Sequence, residues 1–127
     1  MAQLSTLIGV SARMTIAIFI SLAVLVIVLL YAFVLFDRLI RAEYEQHRQF
    51  WEADGRPAGF FWRAAECSFM TSQFAKTRLT LVWLFRTPAW IAGSPVLRTR
   101  LRQHRWAVLV WNVGILIWFV FFLMKFV

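Results

Sequence analysis

The chain contains a single cysteine, Cys67, so it cannot close a disulfide within itself, and no CxxC pair or Cys/His cluster offers the ligands of a structural metal site. Acidic residues are scarce as well. Six Asp and Glu stand against fourteen Lys and Arg, and all six lie between Asp37 and Glu66. Of these, Glu45 and Glu52 alone share a helical face, with basic residues interspersed, which is the pattern of a solvated helix surface rather than of an acid/base dyad. The chain lacks HExxH, GxSxG, a phosphate-binding glycine loop and a nucleotide fingerprint, so no familiar catalytic class finds its residues here. There is no internal repeat and no low-complexity tract. Neither an enzyme acting alone nor a bound cofactor is expected.

What the chain does have is apolar length. Hydrophobic residues make up 61% of its 127 positions, and the mean hydropathy is +0.69, a composition that belongs to membrane proteins rather than to soluble domains. Residues 14–36, "MTIAIFISLAVLVIVLLYAFVLF", are 23 consecutive uncharged positions, where a spanning helix needs about 20. A signal peptide would have a shorter apolar core and a small-residue cleavage site; this run is longer and leads into "FDRLIR", as an uncleaved anchor does. Residues 106–124, "WAVLVWNVGILIWFVFFLM", form a second run of 19, with Lys125 placed to snorkel at its far end.

Charge orients the two runs. Twelve of the fourteen basic residues lie between Asp37 and Arg105, so the positive-inside rule predicts this middle section in the cytoplasm and both termini on the opposite side of the membrane. Arg38, Arg41 and Arg48 follow the first span, and Arg98, Arg100, Arg102 and Arg105 precede the second. The net charge of +8 asks for an anionic partner, and a chain this apolar meets anionic lipid before nucleic acid. Residues 67–105 carry seven basic side chains and no acid. Each basic group near an anionic leaflet contributes about 1 kcal/mol, so Arg86, Arg98, Arg100, Arg102 and Arg105 are candidate headgroup contacts.

The middle section divides at its glycines and prolines. Residues 37–53, "DRLIRAEYEQHRQFWEA", have helical spacing and read as an extension of the first span. Asp54 to Gly59 form a turn. Residues 60–87 are too often interrupted by charge to span a membrane, and predict an interfacial amphipathic helix. Its polar stripe is Arg63, Glu66, Gln73, Thr77 and Thr80; Met70, Phe74 and Leu81 belong to its apolar face. On this reading Phe60, Phe61, Trp62, Trp83 and Trp90 are interfacial anchors. Residues 88–95 form a loop, and residues 96–105 a basic helix feeding the second span.

Three further features carry candidate chemistry. His47 lies 11 residues beyond Phe36, about 16 Å along a continuous helix, whereas His104 is two residues from the second run, so a shared haem or metal would need the first helix to bend over. The seven tryptophans fit aromatic belts better than stacking platforms for a pigment or quinone. Asn112 and Gly114, in "WNVGIL", are candidate intramembrane helix contacts, made either with another subunit or with the protein's own first span through Ser21.

The arrangement of "DGRPAGFF", "LTLVWLF" and "LRTRLRQHRW", between one span at each end, resembles the universal stress protein B family. That resemblance implies a small inner-membrane protein linked to stationary-phase stress, with no catalytic residues to carry over. The expected fold is an all-α membrane protein, two transmembrane helices joined by a cytoplasmic section of helical extensions and an interfacial amphipathic helix. Its expected partners are membrane lipids with anionic headgroups and a membrane-protein subunit or second copy of the chain, not nucleic acid. The leading function is a structural or stress-related envelope role. The alternatives are an accessory subunit of a respiratory or photosynthetic complex, and a small haem or redox-cofactor protein.

Overall fold

The computed structural model describes the chain from residue 1 to residue 127, the side chain of residue 126 apart. Among the described residues all regular structure is helical, without a strand: α1 (Ala2–Gln46), α2 (Arg48–Ala53), α3 (Phe69–Phe85), α4 (Ala89–Ala92) and α5 (Pro95–Phe126). At 1.5 Å per residue α1 is about 68 Å long and α5 about 48 Å. The two run antiparallel, since Ala32 meets His104 and Leu25 meets Gly114. Both are long and apolar enough to cross a membrane. Their most apolar stretches are only 17% and 6% buried, so neither is the enclosed core helix of a soluble body.

Packing is concentrated at one end. The buried residues of α1 all fall between Ala32 and Glu43, where the chain between the spans folds over them. Phe36, Leu39 and Ile40 of α1 join Trp51, Trp83, Trp90, Ile91, Leu97 and Leu101 in one apolar cluster. Its aromatic members meet at tilted or edge-to-face angles: Phe36 and Trp83 are 5.4 Å apart between ring centroids and Trp83 and Trp90 are 5.9 Å apart, while His47 adds a tilted contact 5.3 Å from Trp90. The middle section is therefore a cap with its own core, not a chain draped over lipid.

Local chemistry explains the breaks. The helical extension reaches Gln46, bends at His47 (φ −135°, ψ 52°) and resumes as α2. Gly55 (φ 92°) and Arg56 (φ 53°) then reverse the chain in the left-handed region, which is free for glycine but costs a side-chain-bearing residue about 1–2 kcal/mol. Their amides return to Glu52 and Trp51, and Trp51 Nε1 donates to the Pro57 carbonyl at 3.0 Å. Helix α3 begins at Phe69, not at Phe60, because Ser68 caps it by accepting from Thr71 N–H. Ser94 caps α5 in the same manner, with Pro95 in the first turn.

Residues 60–68 form no helix because their first amides are committed elsewhere. The Phe60 N–H donates to Asp37 Oδ1 at 2.5 Å, and the Phe61 and Trp62 N–H groups donate to Oδ2 at 2.7 and 2.9 Å. Three consecutive amides around one carboxylate make an anion nest, with the anion supplied by α1. Gly59 makes the approach possible: a Cβ there would collide with the Asp37 carboxylate. Phe60 then stacks on Phe33, with centroids 3.9 Å apart, and Trp62 meets Tyr44 edge-on at 5.3 Å.

Helix α3 is apolar on two sides. Ser72, Ala75, Leu79 and Trp83 face the cap, while Met70, Phe74, Leu81 and Phe85 point away from it, each at least 60% exposed. Of the polar stripe read from the sequence, Arg63 and Glu66 precede the helix, and Gln73, Thr77 and Thr80 lie between two apolar faces rather than opposite one.

Removing the carboxylate leaves three amides without their acceptor. Asp37→Ala lowers unfolding stability by about 3 kcal/mol, and Gly59→Ala destabilises by displacing the same carboxylate. Thermal unfolding in mild detergent reads both; unchanged midpoints would show that the nest does not hold the cap.

Candidate functional site

The first three turns of α5 carry arginines at i, i+4 and i+7. Arg98, Arg102 and Arg105, with Thr87, Pro95, Thr99 and Leu101, line a pocket of about 430 Å³. Leu101 is buried beneath it. Arg105 is fixed in place: its Nε donates to the Trp83 carbonyl at 2.7 Å and its Nη2 to Thr87 Oγ1 at 3.2 Å. No carboxylate lines the pocket. The ion pairs among the described residues, Arg41 with Glu45 and Arg48 with Glu66, involve none of its arginines. Of the five arginines expected at headgroups, the structure brings together Arg98, Arg102 and Arg105; Arg86 and Arg100 do not line the pocket.

The aromatic anchors divide. Phe61 is exposed, and Phe60 and Trp62 are half-buried against α1. Trp83 and Trp90 are not interfacial: they are buried in the cap, 1% and 5% exposed. The reason is the inward face of α3 and the short α4, which aim both indoles at Phe36 and His47. These two rings hold the cap on α1 instead of holding the protein in lipid.

Between α1 and α5, Gly114 lies where a Cβ would strike Leu25, so the helices cross closely there. Asn112 does not reach Ser21. Its Nδ2 donates to the Val108 carbonyl at 2.7 Å, one turn back, and Ser21 Oγ donates to the Ile18 carbonyl. On the far side of the crossing the spans part around an apolar groove of about 810 Å³, lined by residues that include Ile18, Leu22, Leu25, Gly114, Trp118 and Lys125.

Two buried polar groups escaped sequence reading. Glu43 is fully buried, and neither carboxyl oxygen has a hydrogen-bond partner among the described residues. Burial, and then the nearby Asp54 carboxyl, which approaches without closing a well-formed bond, push Glu43 from 4.5 to about 10. His104 is also buried, its Nδ1 3.0 Å from the Ala32 carbonyl and its ring against Phe36. His47 packs on Trp90 and Phe50, so the two imidazoles have separate neighbours. No group of three or more His, Cys, Asp or Glu side chains is placed to hold a metal among the described residues.

A carboxyl whose folded value lies above its unfolded one stabilises the fold in full below about pH 4.5, and that contribution is lost as the pH rises through about 10. Thermal stability in detergent should therefore fall between about pH 6 and about pH 9, and Glu43→Gln should flatten that slope. A slope identical in the wild type and the variant would assign it to other groups.

Comparison with protein-family models, with characterised proteins and with solved structures finds no match to this chain.

Proposed function

We propose that the chain is a non-enzymatic two-span protein of the bacterial inner membrane, with residues 37–105 in the cytoplasm, both termini in the periplasm, and a structural or stress-related role in the envelope. The observation that carries this reading is the division of the molecule. Two lipid-length helices leave their apolar surface open, while the basic section between them condenses into a cap on one end. Such a body sets the separation and crossing of two spans and presents a shaped surface at the cytoplasmic leaflet; among the described residues, neither the basic pocket nor the apolar groove brings acid, base and nucleophile together. The resemblance to the universal stress protein B family supports the same placement.

The outward face of α3 belongs to this reading as an interfacial surface. Lys76 Nζ lies 4.7 Å from the centre of the Phe60 ring, and Phe60 stacks on Phe33 near the end of the first apolar run. The middle of α3 is thus level with the span end. There Met70, Phe74, Leu81 and Phe85 meet the headgroup and acyl boundary.

Topology is tested by thiol labelling, but not at Cys67, whose burial at 6% exposure protects it on either side of the membrane. In a Cys67→Ala background, Gln103→Cys should resist an impermeant maleimide on intact cells and react once the inner membrane is opened, whereas Gln3→Cys should react from outside. The opposite pattern would invert the orientation.

A second reading, an accessory subunit of a larger membrane complex, is favoured by Asn112. Its side chain is exposed on a span, and the bond to its own helix is made by the amide nitrogen and not by the side-chain oxygen. A partner helix could satisfy that oxygen. Asn112→Leu should then release a co-purifying membrane protein without lowering the thermal midpoint; an unchanged set of co-purified proteins would sink this reading.

A further inference from the structure

We propose that the pocket at the start of α5 binds the phosphate of an anionic phospholipid, with the lipid chains lying along the same face of α5 below it. The proposal rests on the membrane reading above and deepens it by assigning a specific headgroup site.

Three guanidiniums without a carboxylate repel one another and gain most from a multivalent anion. Phosphate matches them because a planar guanidinium can donate two parallel N–H bonds to its oxygens. Arg105 is held by Trp83 and Thr87, so one cation of the site is preorganised. Thr87 Oγ1 accepts from Arg105, which leaves its own hydroxyl proton available for an oxyanion. Arg98 and Arg102 are exposed and can close on a ligand from the other side.

The phosphate could come from a lipid or from a free phosphorylated molecule. The face below the arginines favours lipid. Continuing the spacing of Arg98, Arg102 and Arg105 along α5 leads to Leu109 and then Leu116, at i+11 and i+18, which are 51% and 63% exposed, with Val113 beside them. A cationic pocket directly above an open apolar track is the shape of an amphiphile, with the polar head at the start of the apolar run and the chains along it.

The test uses the full chain in phosphatidylcholine vesicles, with and without phosphatidylglycerol, and in detergent with inorganic phosphate. Paired variants have equal net charge: Arg98→Gln with Arg102→Gln in the pocket, and Arg86→Gln with Arg100→Gln outside it. All four side chains avoid the apolar cluster, and Arg105 is left alone because it also holds the Trp83 carbonyl. Phosphatidylglycerol should bind the wild type and the Arg86/Arg100 variant alike, and the Arg98/Arg102 variant roughly thirtyfold more weakly, as the loss of two charge-assisted hydrogen-bond donors to one phosphate implies. Equal weakening in both variants would reduce the effect to bulk charge and overturn the site. An equal response to inorganic phosphate in detergent would overturn the lipid assignment. Protein that stays inserted through alkaline extraction yet shows no anionic preference overturns the pocket alone, whereas protein released by that extraction overturns the membrane reading with it.

Discussion

The cap depends on the carboxylate of Asp37. An ionised side chain at the edge of a long apolar helix is costly unless its lone pairs are occupied, and three successive backbone amides occupy them. This one anchor settles several things together. It fixes residues 60–62 in a non-helical path and delays the start of α3 to Phe69. It also places Phe60 against Phe33 and Phe36, and turns the inward face of α3 toward Leu39 and Ile40. The aromatic chain from Phe36 through Trp83 and Trp90 to His47 then closes over α1. Without the nest, that aromatic surface would have no fixed register on the helix beneath it.

The long elements were legible because their physics is one-dimensional. A run of 23 uncharged residues or an arginine-rich entry to a second run is visible without knowing any neighbour. Helix ends were partly legible through Gly and Pro, whereas the serine caps, Ser68 and Ser94, emerge only from the structure. The cap was not legible for a specific reason. The anion nest is built from backbone amides, which every residue but proline has, so its donors leave no mark on composition. Tryptophan adds a second ambiguity, since it serves belts and cores alike; Trp83 and Trp90 became core residues only through Phe36 and His47.

Helix α3 shows the limit of periodicity as a signal. A pattern with apolar positions on both sides of a narrow polar strip has no single preferred face, and a reading that seeks one will assign the outward side and miss the inward one. Met70, Phe74 and Leu81 were read from the sequence; Ala75 and Leu79 were not, and Trp83 was assigned to the interface. The basic pocket was half legible by the same logic. Five arginines could be named, but only those at i, i+4 and i+7 on α5 share a face, and Thr87 enters from a segment that only folding brings near.

The nest joins residues only 23 to 25 positions apart, and closing so short a loop costs little chain entropy. All its parts, Asp37 and the amides of Phe60 to Trp62, are synthesised before the first residue of α5. The first span can therefore acquire its bracket while the second is still unsynthesised. When α5 emerges, it finds Ala32 and Phe36 already oriented to receive His104 and Leu101. Assembly then runs in a fixed temporal order, with the polar clasp as the template and the second helix as the closing piece.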